Sequence, residues 1–235
     1  MLLNFIKKLN IPFQWQHACW IYVITVVTIL VYIFDEQVGE LLIYDRAAIA
    51  QGQFWRLFTG HLLHSNAYHF VMNVAGLILL WIIHGHFYTT KNTAFLFIIS
   101  SLFISIALYY FSPGMQRYVG LSGILHSLFI FGVMLEVRQK DKVAYFLFIG
   151  VWLKTANEQL FGANEELALL IKAQVAVDAH LWGTVIGFIF TLIYIFMTPN
   201  TAIPSKTENT ENTAADKTSV KALNNNNNQG NNDEE

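Results

Sequence analysis

The chain has 235 residues, 54% of them hydrophobic and 15% aromatic but only 13% charged, with a formal net charge of −2. Its mean hydropathy is +0.42, and its apolar runs are too long and continuous for barrel strands, which marks a polytopic helical membrane protein. No basic stripe exists to bind nucleic acid, the single cysteine, Cys19, leaves no disulfide to form, and nothing calls for a cofactor.

In chain order, Lys7 and Lys8 precede the first apolar run, and no small-residue cleavage pattern follows it, so that run is expected to stay as an anchor. Six apolar segments are predicted, at 18–34, 68–84, 94–111, 120–137, 143–160 and 178–197, several near the short end for a spanning helix. The first loop, 35–67, is too long for a simple turn. Its run Gly52-Gln53-Phe54-Trp55-Arg56-Leu57-Phe58-Thr59-Gly60 suits the membrane interface. Lys7, Lys8, Lys91, Arg138, Lys140 and Lys142 crowd one side in short loops. Arg46, Arg56, Arg117 and Lys172 are spread over longer loops on the other. Both termini are therefore expected in the cytoplasm. From Pro199 on, ten Asn, three Lys and six acidic residues predict a disordered cytoplasmic tail, 199–235, after a membrane domain of 1–198.

The segments that begin at the outer face carry polar residues at that end. Ser122 stands between Gly120 and Gly123, which leave the backbone beside its hydroxyl uncrowded. A serine at a helix N-terminus is ordinarily a cap. His126 lies one turn below it, and His69 and Asn73 share a face at the start of the second segment. The sixth segment opens with Asp178-Ala179-His180. Ionisable groups inside a bilayer are costly and by default mark function. Serine needs an adjacent base, for which His180 is the candidate, while amides around Leu121 and Ser122, with Asn73 and His69, can donate to an oxyanion. Asp178 is two residues from His180 and faces another way, so a Ser–His dyad is the economical reading, with His126 packing against or bonding to the imidazole. Gly183 and Gly187 form a G-x-x-x-G face that would admit a close neighbour. His61 and His64 lack the further ligands of a metal site, so no metal is expected. His84 and His86 read as a solvated helix end. Lys154 and Glu158, four apart, read as a mutual ion pair or as a polar notch for substrate.

At these residues the sequence resembles the rhomboid family of intramembrane serine proteases. Trp55-Arg56, then His64, His69 and Asn73, then Gly120-Leu121-Ser122-Gly123, then Ala179-His180 with Gly183 and Gly187 occur in the family's order between Trp55 and Gly187. The resemblance implies an all-α, six-transmembrane-helix bundle with a hydrated cavity open to the outer face. It also implies catalysis by Ser122 and His180, with His69 and Asn73 at oxyanion positions. His126 stands where many bacterial members have tyrosine. With Lys154-Thr155-Ala156-Asn157-Glu158-Gln159 it is similar to the rhombosortase branch. That implies exported protein substrates with a C-terminal Gly-Gly motif and transmembrane segment, processed among membrane lipid in the inner membrane of a Gram-negative bacterium. The alternatives are a general rhomboid protease acting on other single-pass substrates and a non-catalytic rhomboid-like binding protein. A transporter has little support, since no paired halves are recognisable.

Overall fold

A helix that is apolar all round buries itself among its neighbours or in lipid, and the chain sorts its helices between these two fates. The computed structural model describes residues 12–199. Lys7, Lys8 and the predicted tail from Asn200 on lie outside the described residues. Helix α1 (Trp15–Ile33) leads into a first loop that holds α2 (Asp35–Leu42), the short strand β1 (Tyr44–Asp45), α3 (Arg46–Ala50) and α4 (Arg56–Thr59). Then come α5 (Ala67–His84), α6 (Thr90–Phe111), strand β2 (Arg117–Tyr118), α7 (Ser122–Arg138), α8 (Lys142–Phe161), α9 (Glu165–Ile171) and α10 (Val177–Met197).

Among the described residues, four helices are long and apolar enough to cross a membrane: α1, α5 with the turn that extends it to Phe87, α6 and α10. The other two predicted segments form helices but fall short of that measure. Helix α7 has only 17 residues, and 11 of them are buried, so it faces protein rather than lipid along most of its length. Helix α8 has 20 residues, but Lys154, Asn157, Glu158 and Gln159 dilute its apolar character.

The core forms where α10 lies against α7. A Cβ on Gly183 would collide with the carbonyl oxygen of Gly123, and one on Gly187 would fall 2.7 Å from Ser127 Cα. The two backbones therefore touch, which only glycine permits at these positions. Ser127 Oγ donates to Gly183 O at 2.8 Å and fixes the register of the pair.

The first loop is tied to the segment just before α7. Strands β1 and β2 pair antiparallel, Tyr44 with Tyr118 and Asp45 with Arg117. The Gly120 amide donates to Gly60 O at 3.2 Å. The predicted Trp-Arg pair braces this loop: Trp55 Nε1 donates to Leu41 O at 3.0 Å, and buried Arg56 reaches Ile43 O at 2.7 Å. His61 is fully buried, and its Nε2–H faces Ser101 O and Ser105 Oγ at 3.1 and 3.0 Å, which docks the loop on α6. Burial pushes the His61 imidazole down from its usual 6.5 to about 4.

Two predictions follow from this packing. Gly183→Ala must part α7 from α10 and is expected to cost roughly 1–3 kcal/mol or more. Gly150→Ala, whose Cβ meets nothing within 4 Å, should be near neutral, and thermal unfolding in micelles compares the two. His61 binds a proton more readily unfolded than folded, so the stability it lends is present above pH 6.5 and falls as pH drops toward 4. The melting temperature should decline over that window in the wild type. His61→Gln should flatten the decline, and an unchanged slope would remove His61 as its source.

Candidate active site

Ser122 is the first residue of α7. It is not the cap: Leu121 holds that position, and no side chain caps the helix. The Ser122 hydroxyl turns instead across the helix contact, and its Oγ lies 2.9 Å from His180 Nε2. The glycine pair sets this meeting, because Gly123 directly follows Ser122 and Gly183 stands about one helical turn after His180.

Gly120 has φ of +128°, and a Cβ there would press on the His69 ring at 2.8 Å. Glycine thus serves twice at this point, in the left-handed backbone and in the room it leaves for the imidazole. His69 follows Asn66, the cap of α5, whose side chain accepts from the His69 amide at 2.9 Å. The Ser65 amide donates to His69 Nδ1 at 3.4 Å, which leaves the ring proton on Nε2, at the edge facing Gly120. Asn73 is buried one turn deeper and donates to His69 O at 3.1 Å, keeping a second amide hydrogen free of that bond.

A cavity of about 600 Å³ opens over Ser122, lined by His69, Arg117, Tyr118, Ile171 and Asp178 among others. Asn73 is not among its lining residues. Ser65 Oγ and Asn66 Nδ2 grip the last carbonyls of α9, Ile171 O at 2.7 Å and Leu170 O at 2.9 Å, so the end of α9 lies beside the start of α5. Asp178 accepts from Ser112 Oγ and ties α10 to the end of α6, away from His180. A second hollow of about 460 Å³ is almost wholly apolar. It runs between α5 and α8 past Gly76, Leu79, Phe146 and Gly150 and ends at His126 and Lys154.

His126 stacks on His180, with ring centroids 4.4 Å apart and planes 16° from parallel. Its Nδ1–H donates to Ser122 O at 2.8 Å, and its Nε2 faces Lys154 Nζ at 2.9 Å. Lys154 pairs with Glu158 at 2.8 Å, but the pair is not closed on itself. Glu158 Oε2 also lies 3.0 Å from His180 Nδ1. An orienting carboxylate is not obvious in the sequence; the structure places one behind His180, supplied by α8 and not by Asp178. Sequence reasoning passed over it because the contact crosses helices. The available signal was two charges one turn apart in an otherwise apolar segment.

Among the described residues, His126, Glu158 and His180 each offer a ligand atom within 4.8 Å of the others, the donor set of a metal site. The Lys154 ammonium lies within 3.3 Å of all three donors, where a cation would sit. His61 and His64, the pair considered for metal, are instead engaged separately, His61 with α6 and His64 edge-on to the rings of His69 and Phe70.

A comparison with curated proteins returned no match. A family model described as a rhomboid domain matches residues 51–196, well over half of the chain and the whole stretch from the Trp-Arg brace to the end of α10. The chain therefore belongs to the rhomboid family, whose members are in general serine intramembrane proteases.

Proposed function

We propose that the protein is an intramembrane serine endopeptidase in which Ser122 is the nucleophile and His180 its general base. The observation that carries this reading is the 2.9 Å contact between Ser122 Oγ and His180 Nε2 beside a cavity whose wall mixes polar and apolar residues. His180 takes the hydroxyl proton as Oγ attacks the scissile carbonyl, and the same proton then goes to the leaving amine. The tetrahedral oxyanion is met by the Ser122 and Leu121 amides at the start of α7, by His69 Nε2–H and by the spare Asn73 hydrogen. Water releases the acyl group from Ser122, or an amine accepts it.

The finer reading is of a rhombosortase-like enzyme with six membrane spans in the inner membrane of a Gram-negative bacterium. Both termini are cytoplasmic, and the cavity opens to the periplasm. The crowding of Lys and Arg in the short loops supports that orientation. The substrates are exported proteins with a C-terminal apolar helix preceded by Gly-Gly. The apolar hollow between α5 and α8, which ends beside His126 and Lys154, supports an apolar segment as the thing delivered. Each glycine lowers helix stability by about 1 kcal/mol, which helps the chain unwind and present its carbonyl.

Cleavage assays in reconstituted membranes test the assignment. Ser122→Ala and His180→Ala should each abolish turnover, and the double variant should be no worse than either, since the two act as one unit. Asn73→Ala should cost on the order of 10²–10³ in rate, with the backbone donors intact. Turnover by Ser122→Ala at the wild-type rate would end the serine-protease reading. Replacing Gly-Gly by Leu-Leu in the substrate should slow cleavage sharply, and unchanged processing would favour a general rhomboid protease.

A further inference from the structure

Resting on the reading of Ser122 and His180 as nucleophile and base, we infer that Glu158 is a positioning residue of the same unit and decides which ring nitrogen of His180 carries the proton. Two groups of opposite kind compete for His180 Nδ1. Glu158 Oε2 stands 3.0 Å away and can only accept, while Lys154 Nζ stands 3.3 Å away and can only donate. When the carboxylate engages it, Nδ1 carries the proton and Nε2 turns a lone pair toward the Ser122 hydroxyl. When the ammonium engages it, the proton sits on Nε2 and the ring has no means of taking another from serine.

The geometry favours the carboxylate. The Glu158 and His180 side chains are only 12% and 8% exposed, against 45% for Lys154, so the carboxylate contact is the better sheltered from water. Lys154 is also drawn off by two closer acceptors, Glu158 at 2.8 Å and His126 Nε2 at 2.9 Å. Helix α8 is held to α10 at this level by Thr155 and Thr184, whose hydroxyls lie 3.5 Å apart one turn beyond His180. The bonds form a closed circuit. It runs from the Ser122 carbonyl through His126, Lys154, Glu158 and His180 back to the Ser122 hydroxyl. Glu158 thus sets the tautomer and faces the imidazolium that forms when the serine proton arrives. Lys154 in turn holds the carboxylate in place.

The test uses the full chain in lipid vesicles and two readouts, the rate at which a fluorophosphonate probe labels Ser122 and the ¹⁵N signals of the His180 ring. Glu158→Ala should slow labelling on the order of 10²–10⁴-fold and move the ring proton from Nδ1 to Nε2. Adding Lys154→Met removes the competing donor and should recover on the order of tenfold relative to Glu158→Ala alone, a gain that a merely structural role for Glu158 would not produce. Labelling of Glu158→Ala as fast as the wild type, an unaltered His180 tautomer, or a double variant no faster than the single would each overturn the inference. Labelling of a Ser122→Ala control would instead overturn the nucleophile assignment on which it rests.

Discussion

The contact of bare backbone between Gly123 and Gly183 is the constraint on which the site depends. Side chains on α7 or α10 at these positions would hold the helices apart, and Ser122 and His180 would no longer lie within hydrogen-bond reach of each other. Dispersion between surfaces in such close contact is the main attraction available where lipid is as apolar as the helices themselves. The Ser127 hydroxyl, bonded to Gly183 O, adds a directional lock to a contact that packing alone would leave free to slide.

Around that contact the polar groups are arranged in layers. The first loop is stitched by β1 and β2, by Arg56 and by His61, so that the turn carrying Gly120 is fixed from the side opposite α10. Tyr118 completes the brace, its hydroxyl donating to Gly120 O at 2.6 Å. The ionic groups stand on the other flank, on α8, whose lowered apolarity is the counterpart of the charges it brings to His180. A protein that buries charge in a membrane region must pair it, and here Lys154 and Glu158 neutralise each other while both touch imidazoles.

Much of this arrangement was legible from residues alone, because long apolar runs and their polar ends are local signals. The predicted segments 68–84 and 178–197 lie within a residue of α5 and α10. Helix α6 starts at Thr90 rather than 94, since Thr89 and Asn92 form a reciprocal cap that a search for Ser or Thr followed by Glu or Gln does not find. The short helices of the first loop and α9 were not foreseen, being too brief for periodicity to register. Glu158 was the larger omission. Its i,i+4 partner Lys154 offered a sufficient local explanation, whereas its bond to His180 spans 22 residues and two helices.

The brevity of α7 has its own consequence. Its 17 residues span about 25 Å, against roughly 30 Å of hydrocarbon in a typical bilayer, so on the proposed reading, with α7 in the membrane and Arg138 at its cytoplasmic face, Ser122 would lie recessed below the outer surface. On the proposed reading, a neutral amide enters at that depth, and hydrolysis leaves a carboxylate on one fragment and an ammonium on the other. Both new ends are costly there, and each is driven toward water by its own charge. Scission at a recessed serine therefore ejects its products and opposes their rejoining, giving the step a direction without any other source of energy.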